Sequence, residues 1–563
     1  MPACRICQQD FVITNEDMEF YADQGPKVHG RRVGVPPPTL CMQCRIRRKL
    51  AFRNERRLYR RRCDQSGKEL FSIYSPDKPY TVYENGVWYG DSWDARTFGR
   101  AYDPARSFFE QFSDLLRAVP RPARITFGVS ENSDYCNHHL SCKDCYLFFW
   151  GDNSERSVLC YGCGRLRNCL DCKASENCTS CAHTLDCMHC NDCAYIEDCE
   201  RVSESRYMLN CRDCRNCFQC VNLRHKQYCI RNTPYPSKAA YESELAKYPW
   251  QSFAEQTRQQ AEFQSFAAAF PRRALHLLRV EDCRGDHIGS GKDCRECYWL
   301  IGDQNERCRY TVASGEKTFR LYDMYGSGYN LVSCYESFGL ANGVQDCGFC
   351  LYVTDGVRDT YYSADCRSSH DLFGCVGLNH AEYCILNVKY SPAEYEALSS
   401  KIIEDMRARK EWGEFFPLSV SPFGYNESAA ADHYPLLEAE ACALGAHWSD
   451  YERSQPQVVG AASTETLPDS LELTTDDILG QTLLCCESSL PFRISRLELQ
   501  LCRDLRVPLP RLHPDVRLHR LARAFGPFRL WRSTCSQCGR TTDSGVDPKV
   551  CARVLCERCF EGG

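Results

Sequence analysis

The sequence predicts a mainly β protein: a duplicated, cysteine-rich β-solenoid with flanking helices and small zinc-binding modules at both ends. Three observations predict this fold. The cysteines of the middle region share one three-residue phase, the region that contains them is duplicated, and paired Cys-x2-Cys motifs lie near both termini.

The phase of the cysteines indicates a periodic backbone. Eighteen cysteines lie between Cys136 and Cys229, all in the same three-residue phase, and from Cys160 to Cys190 they form a nine-residue unit, Cys-x2-Cys-x5. This period is neither the two of a strand nor the roughly 3.6 of a helix. We predict a coil whose equivalent residues stack about 4.8 Å apart, and we expect two nine-residue units in each turn.

The residue types of this region suit such a coil. Small, apolar cysteine fits a narrow interior. Residues that tolerate left-handed backbone precede several cysteines and suit the corners; they are Asn168, Asn177 and Asp186. The nearby histidines are potential metal ligands, but we expect them at surface or turn positions: His138, His139, His183 and His189.

An internal duplication supports the repeat architecture. One block closes with CFQCVNLRHKQYCIRN at residues 217–232, and a second closes with LFGCVGLNHAEYCILN at residues 372–387. Their entrances match as well, since Cys142-Lys-Asp-Cys145 corresponds to Cys294-Arg-Glu-Cys297. Internal periodicity of this kind is typical of solenoids.

The duplication also tests whether the central cysteines are metal ligands. When the closing phrases of the two blocks are aligned, Cys214 becomes Ser369 and Cys217 becomes Leu372. A position that accepts leucine is a packing position, so we favour a ladder of thiols over metal ligation. Two alternatives stay open. One is a metal site in the run from 160 to 193; the other is an iron–sulfur cluster in the run from 211 to 220, which lacks the usual following proline.

Two Cys-x2-Cys pairs lie near the N-terminus. Four thiolates in two such pairs match a closed tetrahedral zinc site, because each pair offers two ligands from one tight turn. The segment between them, residues 10–21, is predicted to form a hairpin. The predicted ligands are Cys4, Cys7, Cys41 and Cys44.

An arginine-rich helix is predicted from the second pair onward, over residues 45–62, as in treble-clef fingers, which this segment resembles. A zinc module with such a helix can bind phosphates. Alternatively, the arginines are solvated or pair with the acidic remainder of the chain. The candidate nucleic-acid-binding residues are Arg48, Arg53, Arg56, Arg57, Arg60 and Arg61.

The C-terminal region contains the same module again. One alignment of the two ends places Arg517 on Arg45 and Cys535 on Cys63, and a slightly different one places Cys485 on Cys4. Each copy has two finger-like halves, and one half of each copy is degenerate because it has lost metal ligands. In the N-terminal copy the second half is degenerate, since Ser66 replaces a thiol. In the C-terminal copy the first half is degenerate, and the replacing residues are Ser488, His513 and Val516. The intact C-terminal set is a zinc-ribbon motif, comprising Cys535, Cys538, Cys556 and Cys559. We therefore predict two structural zinc ions.

Helices are predicted around the two blocks. One spans residues 104–118, a second continues through residues 237–269, and a third starts at Ser391-Pro392, with Glu394 completing a capping box. The predicted divisions are a zinc module (1–90), a linker helix (91–130), block 1 (131–235), a helical connector (236–277), block 2 (278–390), a helix (391–415), a linker (416–480) and a second zinc module (481–563).

Composition places limits on the class of protein. The net charge is −5, so no global field favours nucleic acid or membrane, and there is no apolar run of about 18 residues. We expect no secretory signal, because the N-terminus lacks an apolar core. The 42 cysteines then indicate a reducing, cytoplasmic setting; an extracellular disulfide scaffold is the alternative.

The chain resembles a group of cysteine-rich bacterial proteins with treble-clef or zinc-ribbon ends and duplicated Cys-repeat blocks. The resemblance rests on residues 217–232, on residues 372–387 and on the two end modules. It implies this architecture and no particular activity.

Three functions stay open. The first is a zinc-binding, non-catalytic scaffold or binding protein with a macromolecular partner that the sequence does not identify. The second is a nucleic-acid-binding protein that uses residues 45–62. The third is a redox or iron–sulfur enzyme. We expect no enzyme activity, because the sequence has no Walker A loop, dinucleotide fingerprint, nucleophile elbow or HExxH motif.

Overall fold

Short parallel strands, stacked along two stretches of chain, form a β-solenoid of about 19 turns. The predicted mainly β, duplicated solenoid fold is confirmed. The structure is a computed structural model. It describes residues 1–28, 30–161, 169–170, 181–182, 187–188, 193–451, 458–524, 526 and 528–562.

The N-terminal module and the helix that follows it precede the first solenoid block. Their elements are α1 (Asn15–Ala22), β1 (Lys27–Val28), β2 (Arg31–Arg32), α2 (Met42–Leu50), β3 (Tyr59–Arg62), β4 (Glu69–Ser72), β5 (Val82–Tyr83), α3 (Asn85–Trp88), α4 (Phe108–Ala118) and β6 (Arg121–Pro122).

Block 1 is the first solenoid stretch, and two helices and a short strand connect it to the second. Its strands are β7 (Thr126–Glu131), β8 (Asn137–Lys143), β9 (Tyr146–Glu155), β10 (Val158–Tyr161), β11 (Cys181–Ala182), β12 (Cys187–Met188), β13 (Cys193–Glu197), β14 (Cys199–Ser203), β15 (Arg206–Leu209), β16 (Arg212–Val221), β17 (Gln227–Ile230) and β18 (Thr233–Pro234). The connector comprises α5 (Lys238–Leu245), α6 (Phe253–Ala267) and β19 (Arg272–Arg273).

Block 2 is the second solenoid stretch. Its strands are β20 (Val280–Glu281), β21 (Arg284–Ile288), β22 (Gly291–Lys292), β23 (Arg295–Ile301), β24 (Asn305–Glu306), β25 (Val312–Gly315), β26 (Gln345–Gly348), β27 (Arg358–Tyr361), β28 (His370–Phe373), β29 (Glu382–Ile385) and β30 (Val388–Lys389).

The remainder of the chain contains helices and the C-terminal module. Its elements are α7 (Pro392–Ala408), α8 (Ala429–His433), α9 (Glu438–Ala443), β31 (Ala462–Ser463), β32 (Leu483–Leu484), β33 (Pro491–Phe492), α10 (Arg496–Leu505), α11 (Pro514–Ala524), β34 (Trp531–Thr534), β35 (Thr541–Ser544), β36 (Val554–Leu555) and α12 (Glu557–Glu561).

The coil is shorter than the two nine-residue units that we expected, so that prediction is wrong. In block 1, Cys217 pairs with Cys229 on the next turn. In block 2, Cys347 pairs with Thr360 on the next turn. The block 1 turn consists of four three-residue sides, which keeps the three-residue phase of the cysteines. The turns of block 2 vary in length: the steps from Tyr298 to Val312, from Cys347 to Thr360 and from Leu372 to Cys384 are 14, 13 and 12 residues.

Residues with left-handed backbone, that is, with positive φ angles, explain the three-residue phase of the cysteines. Positive φ angles recur at every third residue along most of the described part of block 1, and nearly all of these residues precede an interior position. Along β16 and its ends they are Asn210, Asp213, Asn216, Gln219 and Asn222. Left-handed backbone costs about 1–2 kcal/mol for a residue with a side chain. The buried interior and the parallel ladders must therefore outweigh this cost at each corner.

The longer turns of block 2 contain one extra corner residue. Pairs of consecutive left-handed residues recur once per turn, at 316–317, 329–330, 342–343 and 355–356. The additional residue is accommodated at the same corner of successive turns, so the three-residue phase of the other sides is unchanged.

Cysteine side chains fill the interior of block 1 in the described residues. Cys214, Cys217 and Cys220 are at most 1% exposed. Each of their thiols donates to the carbonyl oxygen two residues earlier, at 3.3 to 3.4 Å. None of the cysteines whose side chains the structure describes forms a disulfide. The thiols therefore pack as the predicted ladder.

Part of the predicted pattern lies outside the described residues. This applies to the corner residues Asn168, Asn177 and Asp186, to His183 and His189, and to most of the run from 160 to 193. His138 occupies a left-handed corner, as expected of a turn residue, but it is buried and so is His139. The predicted alternative of a surface position is therefore wrong for these two histidines.

Each terminal module adds a strand at the entrance of one block. β5 pairs in parallel with β6, directly before block 1, and β36 pairs in parallel with β19, directly before block 2. The helix that precedes the entrance of each block contacts the other block. Phe108 of α4 contacts Phe373 of block 2, and Phe263 of α6 contacts Tyr207 of block 1.

The two modules have equivalent elements, as their alignment predicts. The alignment that places Cys535 on Cys63 also places β34, β35 and β36 on β3, β4 and β5, and the one that places Cys485 on Cys4 places the start of α10 on that of α1. The N-terminal hairpin prediction for residues 10–21 is wrong, because Thr14 and Asp17 form a capping box that starts α1. Thr-x-x-Asp before an apolar stretch is itself a helix-start signal.

The arginine-rich helix is also shorter than predicted. α2 ends at Leu50, and residues 59–62 form β3. Between them Asn54 closes a turn: its side chain donates to the Arg57 carbonyl at 2.8 Å and accepts from the Arg57 N–H at 3.0 Å. Asparagine commonly replaces helical hydrogen bonds in this way.

The other helices follow the sequence more closely. α7 has the predicted capping box of Ser391 and Glu394, whereas the helix predicted over residues 237–269 is divided into α5 and α6. Residues 416–480, predicted as a linker, contribute to the core. Phe416 stacks on Phe112 at 4.5 Å.

Candidate metal centres and the buried arginine segment

Four thiols of the N-terminal module converge on one point. The Sγ atoms of Cys4, Cys7, Cys41 and Cys44 all lie within 4.8 Å of one another. Cys4 begins a tight turn in which its N–H donates to the Gln9 carbonyl at 2.9 Å. Cys41 is the N-cap of α2 and Cys44 lies in the first turn of this helix, so backbone N–H groups and the helix dipole favour thiolates there.

The C-terminal module has the same arrangement. Cys535, Cys538, Cys556 and Cys559 lie within 4.8 Å of one another, and Cys556 is the N-cap of α12. The sulfurs of Cys538 and Cys556 are 3.8 Å apart, and those of Cys7 and Cys41 are 3.6 Å apart. Two sulfurs bound tetrahedrally at about 2.3 Å from one zinc ion lie about 3.8 Å apart. Both sets therefore have the dimensions of a four-thiolate metal site.

In each set at least one thiol favours deprotonation, whereas burial and hydrogen bonds to neighbouring thiols raise the pKa of others, namely Cys7, Cys44 and Cys559. A hydrogen bond from the Cys44 thiol is the main reason that the pKa of Cys41 falls to about 5. Burial would raise the pKa of Cys535, but backbone N–H donors from Cys538 and Cys556 outweigh it and lower this pKa to about 6. Thiolates are the form that binds metal.

The degenerate half of the N-terminal module, around Cys63, keeps the tight cysteine turn but lacks the other metal ligands. Cys63 receives hydrogen bonds from the N–H groups of Ser66 at 3.4 Å and Glu84 at 3.3 Å. The Ser66 hydroxyl donates to Glu84 at 3.0 Å, and Lys68 lies 3.1 Å from the same carboxylate. A hydrogen-bonded ion pair thus occupies the position that metal ligands occupy in the other copy.

The degenerate half of the C-terminal copy also folds without a four-thiol set. The N–H of Ser488 donates to Cys485 Sγ at 3.4 Å, which reproduces the knuckle turn. His513 Nδ1 accepts from the Asp515 N–H at 3.0 Å and so satisfies a backbone donor at the start of α11. Val516 lies in α11 and cannot bind metal.

The arginine-rich segment is buried against block 2. Arg45 Nε donates to Asp323 at 2.7 Å, and the two side chains are 2% and 0% exposed. Arg48 pairs with Glu336 at 2.5 Å and with Glu414 at 2.9 Å. Buried charges require such partners.

The same segment continues between the two blocks. Arg53 pairs with Glu55, and its guanidinium lies 5.5 Å from the Trp150 ring of block 1 and 5.7 Å from the Tyr325 ring of block 2. Tyr161 of block 1 donates to the Glu55 carboxylate. The segment therefore joins the blocks from the inside.

The predicted nucleic-acid-binding residues have different environments. Arg48, Arg53 and Arg56 are buried, so these three do not present their guanidinium groups to a phosphate. Arg61 is half-buried and donates to the Ser75 carbonyl at 3.2 Å. Binding of nucleic acid stays a prediction, and it now depends on Arg57, Arg60 and Arg61.

The structure also reveals a cluster that sequence analysis missed. Asp198, His276 and His287 place one ligand atom each within 4.8 Å of the others. They belong to three separate segments and follow no spacing motif, so the sequence contained no signal for them.

In the described part of the chain, the helices are too short or too polar to cross a membrane.

No family model, no curated protein and no solved structure matches this chain. The fold and sites define its class directly: a duplicated β-solenoid protein with a tetra-Cys group near each end, the architecture that the resemblance implied.

Proposed function

We propose that this chain is a zinc-binding, non-catalytic scaffold of a reducing compartment, in which two zinc ions hold the ends of a solenoid that binds a macromolecular partner. One observation carries the proposal. Each tetra-Cys set adjoins an element that contacts the solenoid. Cys556 follows β36, which pairs with β19 at the entrance of block 2, and Cys41 and Cys44 start α2, whose Arg45 pairs with Asp323 of block 2. An ion in such a module stabilises the framework itself.

The ligand chemistry supports zinc. Four thiolates in a closed set are typical of structural zinc sites, which keep no open position for a substrate. The sulfur separations of 3.6 and 3.8 Å fit one tetrahedral ion in each module. Iron can also bind four thiolates, and colour distinguishes it from zinc.

The outer surface of the solenoid supports a binding role. Charged residues on successive turns pair with one another: Arg201 with Asp213 at 2.6 Å and Arg215 with Glu204 at 2.9 Å. Such ladders fix the positions of charges on a rigid face. A partner with a complementary arrangement of charges would gain specificity from such a face more than raw affinity.

Elemental analysis of the full chain tests the proposal. We expect two thiolate-bound zinc ions per chain, no visible colour, and loss of one ion in each of the variants Cys7→Ser and Cys538→Ser. Cys551→Ser is the matched control, because this cysteine lies in the same module as Cys538 but outside the tetra-Cys set. Iron in place of zinc, or an unchanged ion count in Cys538→Ser, would contradict the assignment.

Limited proteolysis tests whether the ions are structural. After chelation, we expect new cleavage in the terminal modules, while both solenoid blocks stay resistant because their thiols form no metal site among the described residues. Modules that stay equally resistant without metal would show that the ions do not support the framework.

A further inference from the structure

A cluster of ligand-bearing side chains lies where block 1, block 2 and the C-terminal module meet. Asp198 occupies a left-handed corner of block 1 between β13 and β14, and His287 occupies such a corner in β21 of block 2. His276 follows β19, the strand that pairs with the C-terminal module. Segments that are distant in sequence thus place their ligand atoms within 4.8 Å of one another.

The separation of two of these atoms fits a shared metal ion. His276 Nε2 and Asp198 Oδ2 are 3.3 Å apart. Two ligands bound tetrahedrally at about 2.0–2.1 Å lie about 3.3–3.4 Å apart. His276 Nε2 is shielded from solvent, and its partner is the Asp198 carboxylate in an ion pair. A metal ion held between this nitrogen and the carboxylate would replace that ion pair.

Asp286 orients both histidines. Its Oδ1 atom accepts from the backbone N–H of His276 at 2.7 Å and of His287 at 3.0 Å, and it lies 3.0 Å from His276 Nδ1. A carboxylate on one ring nitrogen is the pattern that directs the other nitrogen toward a metal. The His276 and His287 rings stack at 4.3 Å, and His287 stacks on Trp299 at 3.7 Å, so both imidazoles are held in place.

The C-terminal module helps to position Asp286. A Cβ atom on Gly545 would lie 1.8 Å from Asp286 Oδ2, so a larger residue would displace this carboxylate. The Gly545 N–H donates to the Ala274 carbonyl at 2.8 Å, close to His276. The module therefore contributes to the cluster without supplying a ligand.

We propose that Asp198, His276 and His287 bind a divalent transition-metal cation of the Zn²⁺ class at a third site, distinct from the two thiolate sites. Two imidazoles and one carboxylate suit zinc and its neighbours, and three protein ligands leave one position open for water. The three side chains are 9%, 18% and 22% exposed, so the site is largely enclosed. Such an ion joins block 1 to block 2.

Cobalt titration of the full chain tests this site. We expect the chain, with zinc in its thiolate sites, to bind one further Co²⁺ ion, whose spectrum shows d–d bands without thiolate charge transfer. His287→Ala and Asp198→Asn, which lie on different blocks, should each lose this ion and retain the two zinc ions, which also reports that the modules are folded. Gly545→Ala should weaken Co²⁺ binding by about 10-fold or more.

His370→Ala is the matched control. This histidine lies in block 2, 2.8 Å from Asp371 and 3.6 Å from Glu382, and its removal should leave Co²⁺ binding unchanged. The proposal fails if the unaltered chain binds no more Co²⁺ than His287→Ala does. It also fails if the additional ion persists in both His287→Ala and Asp198→Asn.

Discussion

Arg53 and Glu55 form an ion pair that is enclosed between the two solenoid blocks, with side-chain exposures of 2% and 1%. The pair belongs to the N-terminal module, yet its aromatic contacts come from both blocks: Trp150 and Tyr161 of block 1 and Tyr325 of block 2. The segment that the sequence marks as basic therefore stabilises the relative position of the blocks.

Removing one partner of this pair should destabilise the protein strongly. Glu55→Gln leaves the Arg53 charge buried without its counter-ion, which costs about 3–5 kcal/mol of unfolding free energy. Equilibrium denaturation measures the loss. Glu69→Gln is the control, because Glu69 pairs with Arg62 at 3.7 Å with both side chains mostly exposed, and should cost at most about 1 kcal/mol. Equal losses would contradict the enclosed position of Arg53.

Interior thiols of the solenoid should accept serine. Cys350 stacks between Ser337 and Ser363, and its N–H donates to the Ser337 hydroxyl at 2.8 Å. Its thiol donates to the Gly348 carbonyl at 3.3 Å, as the Ser363 hydroxyl donates to the Tyr361 carbonyl at 3.0 Å. We expect Cys350→Ser to cost less than about 1.5 kcal/mol of unfolding free energy and to leave the metal content unchanged.

The same substitution at a metal position should have the opposite effect. Cys41→Ser should lose the N-terminal ion and expose the module to proteolysis, since this thiol belongs to the tetra-Cys set. Elemental analysis of the two serine variants distinguishes packing thiols from ligands. Loss of metal in Cys350→Ser would overturn the ladder interpretation.

The change in stability on substituting an exposed corner residue should depend on the backbone preference of the new residue alone. His380 is exposed and has a φ of 49°. We expect His380→Val to lower the unfolding free energy by about 1–2 kcal/mol, because branched side chains clash in left-handed backbone, whereas His380→Gly should not lower it. Thermal unfolding of the two variants measures the difference, and a valine variant as stable as the glycine variant would argue against the corner.

Acid should weaken the contact between α8 and the N-terminal module. Burial alone raises the pKa of Asp432, but the charge of Arg56, 2.6 Å away, and hydrogen bonds from Arg56 and His519 outweigh it, so this pKa lies well below its ordinary value. The carboxylate therefore stabilises the fold above about pH 4, and its contribution declines as the pH falls toward the folded pKa.

The variant Asp432→Asn isolates this contribution. The difference in unfolding free energy between the unaltered chain and the variant should be constant above about pH 5 and should shrink below about pH 4. Denaturation at several pH values measures it. A difference that stays undiminished at about pH 3 would show that the ionised form of Asp432 does not carry the stabilisation.

Local spacing accounts for what the sequence predicted. The tetra-Cys sets follow from Cys-x2-Cys turns, and the alignment that places Cys535 on Cys63 relates strands that the structure shows to be equivalent, such as β3 and β34. The phase of the cysteines predicted a periodic interior, because cysteines such as Cys211, Cys214, Cys217 and Cys220 each follow a left-handed corner. The number of residues in a turn did not follow, since any multiple of three preserves that phase.

Long-range pairing accounts for what the sequence could not provide. Arg45 is buried because Asp323 lies opposite to it, and no pattern around Arg45 identifies that partner. The helix predicted over residues 45–62 ended early for a local reason, the Asn54 turn, together with the strand pairing of β3 and β4. The cluster of Asp198, His276 and His287 depends on the packing of the two blocks, which periodicity does not specify.

The corners of the coil also determine how its length can vary during evolution. One residue inserted at a corner, as at 329–330, leaves the inward-facing positions of every other side unaltered. One residue inserted within a side would reverse inward and outward positions for the remainder of that side. Natural variants of this chain should therefore gain or lose single residues at corners, and otherwise whole turns.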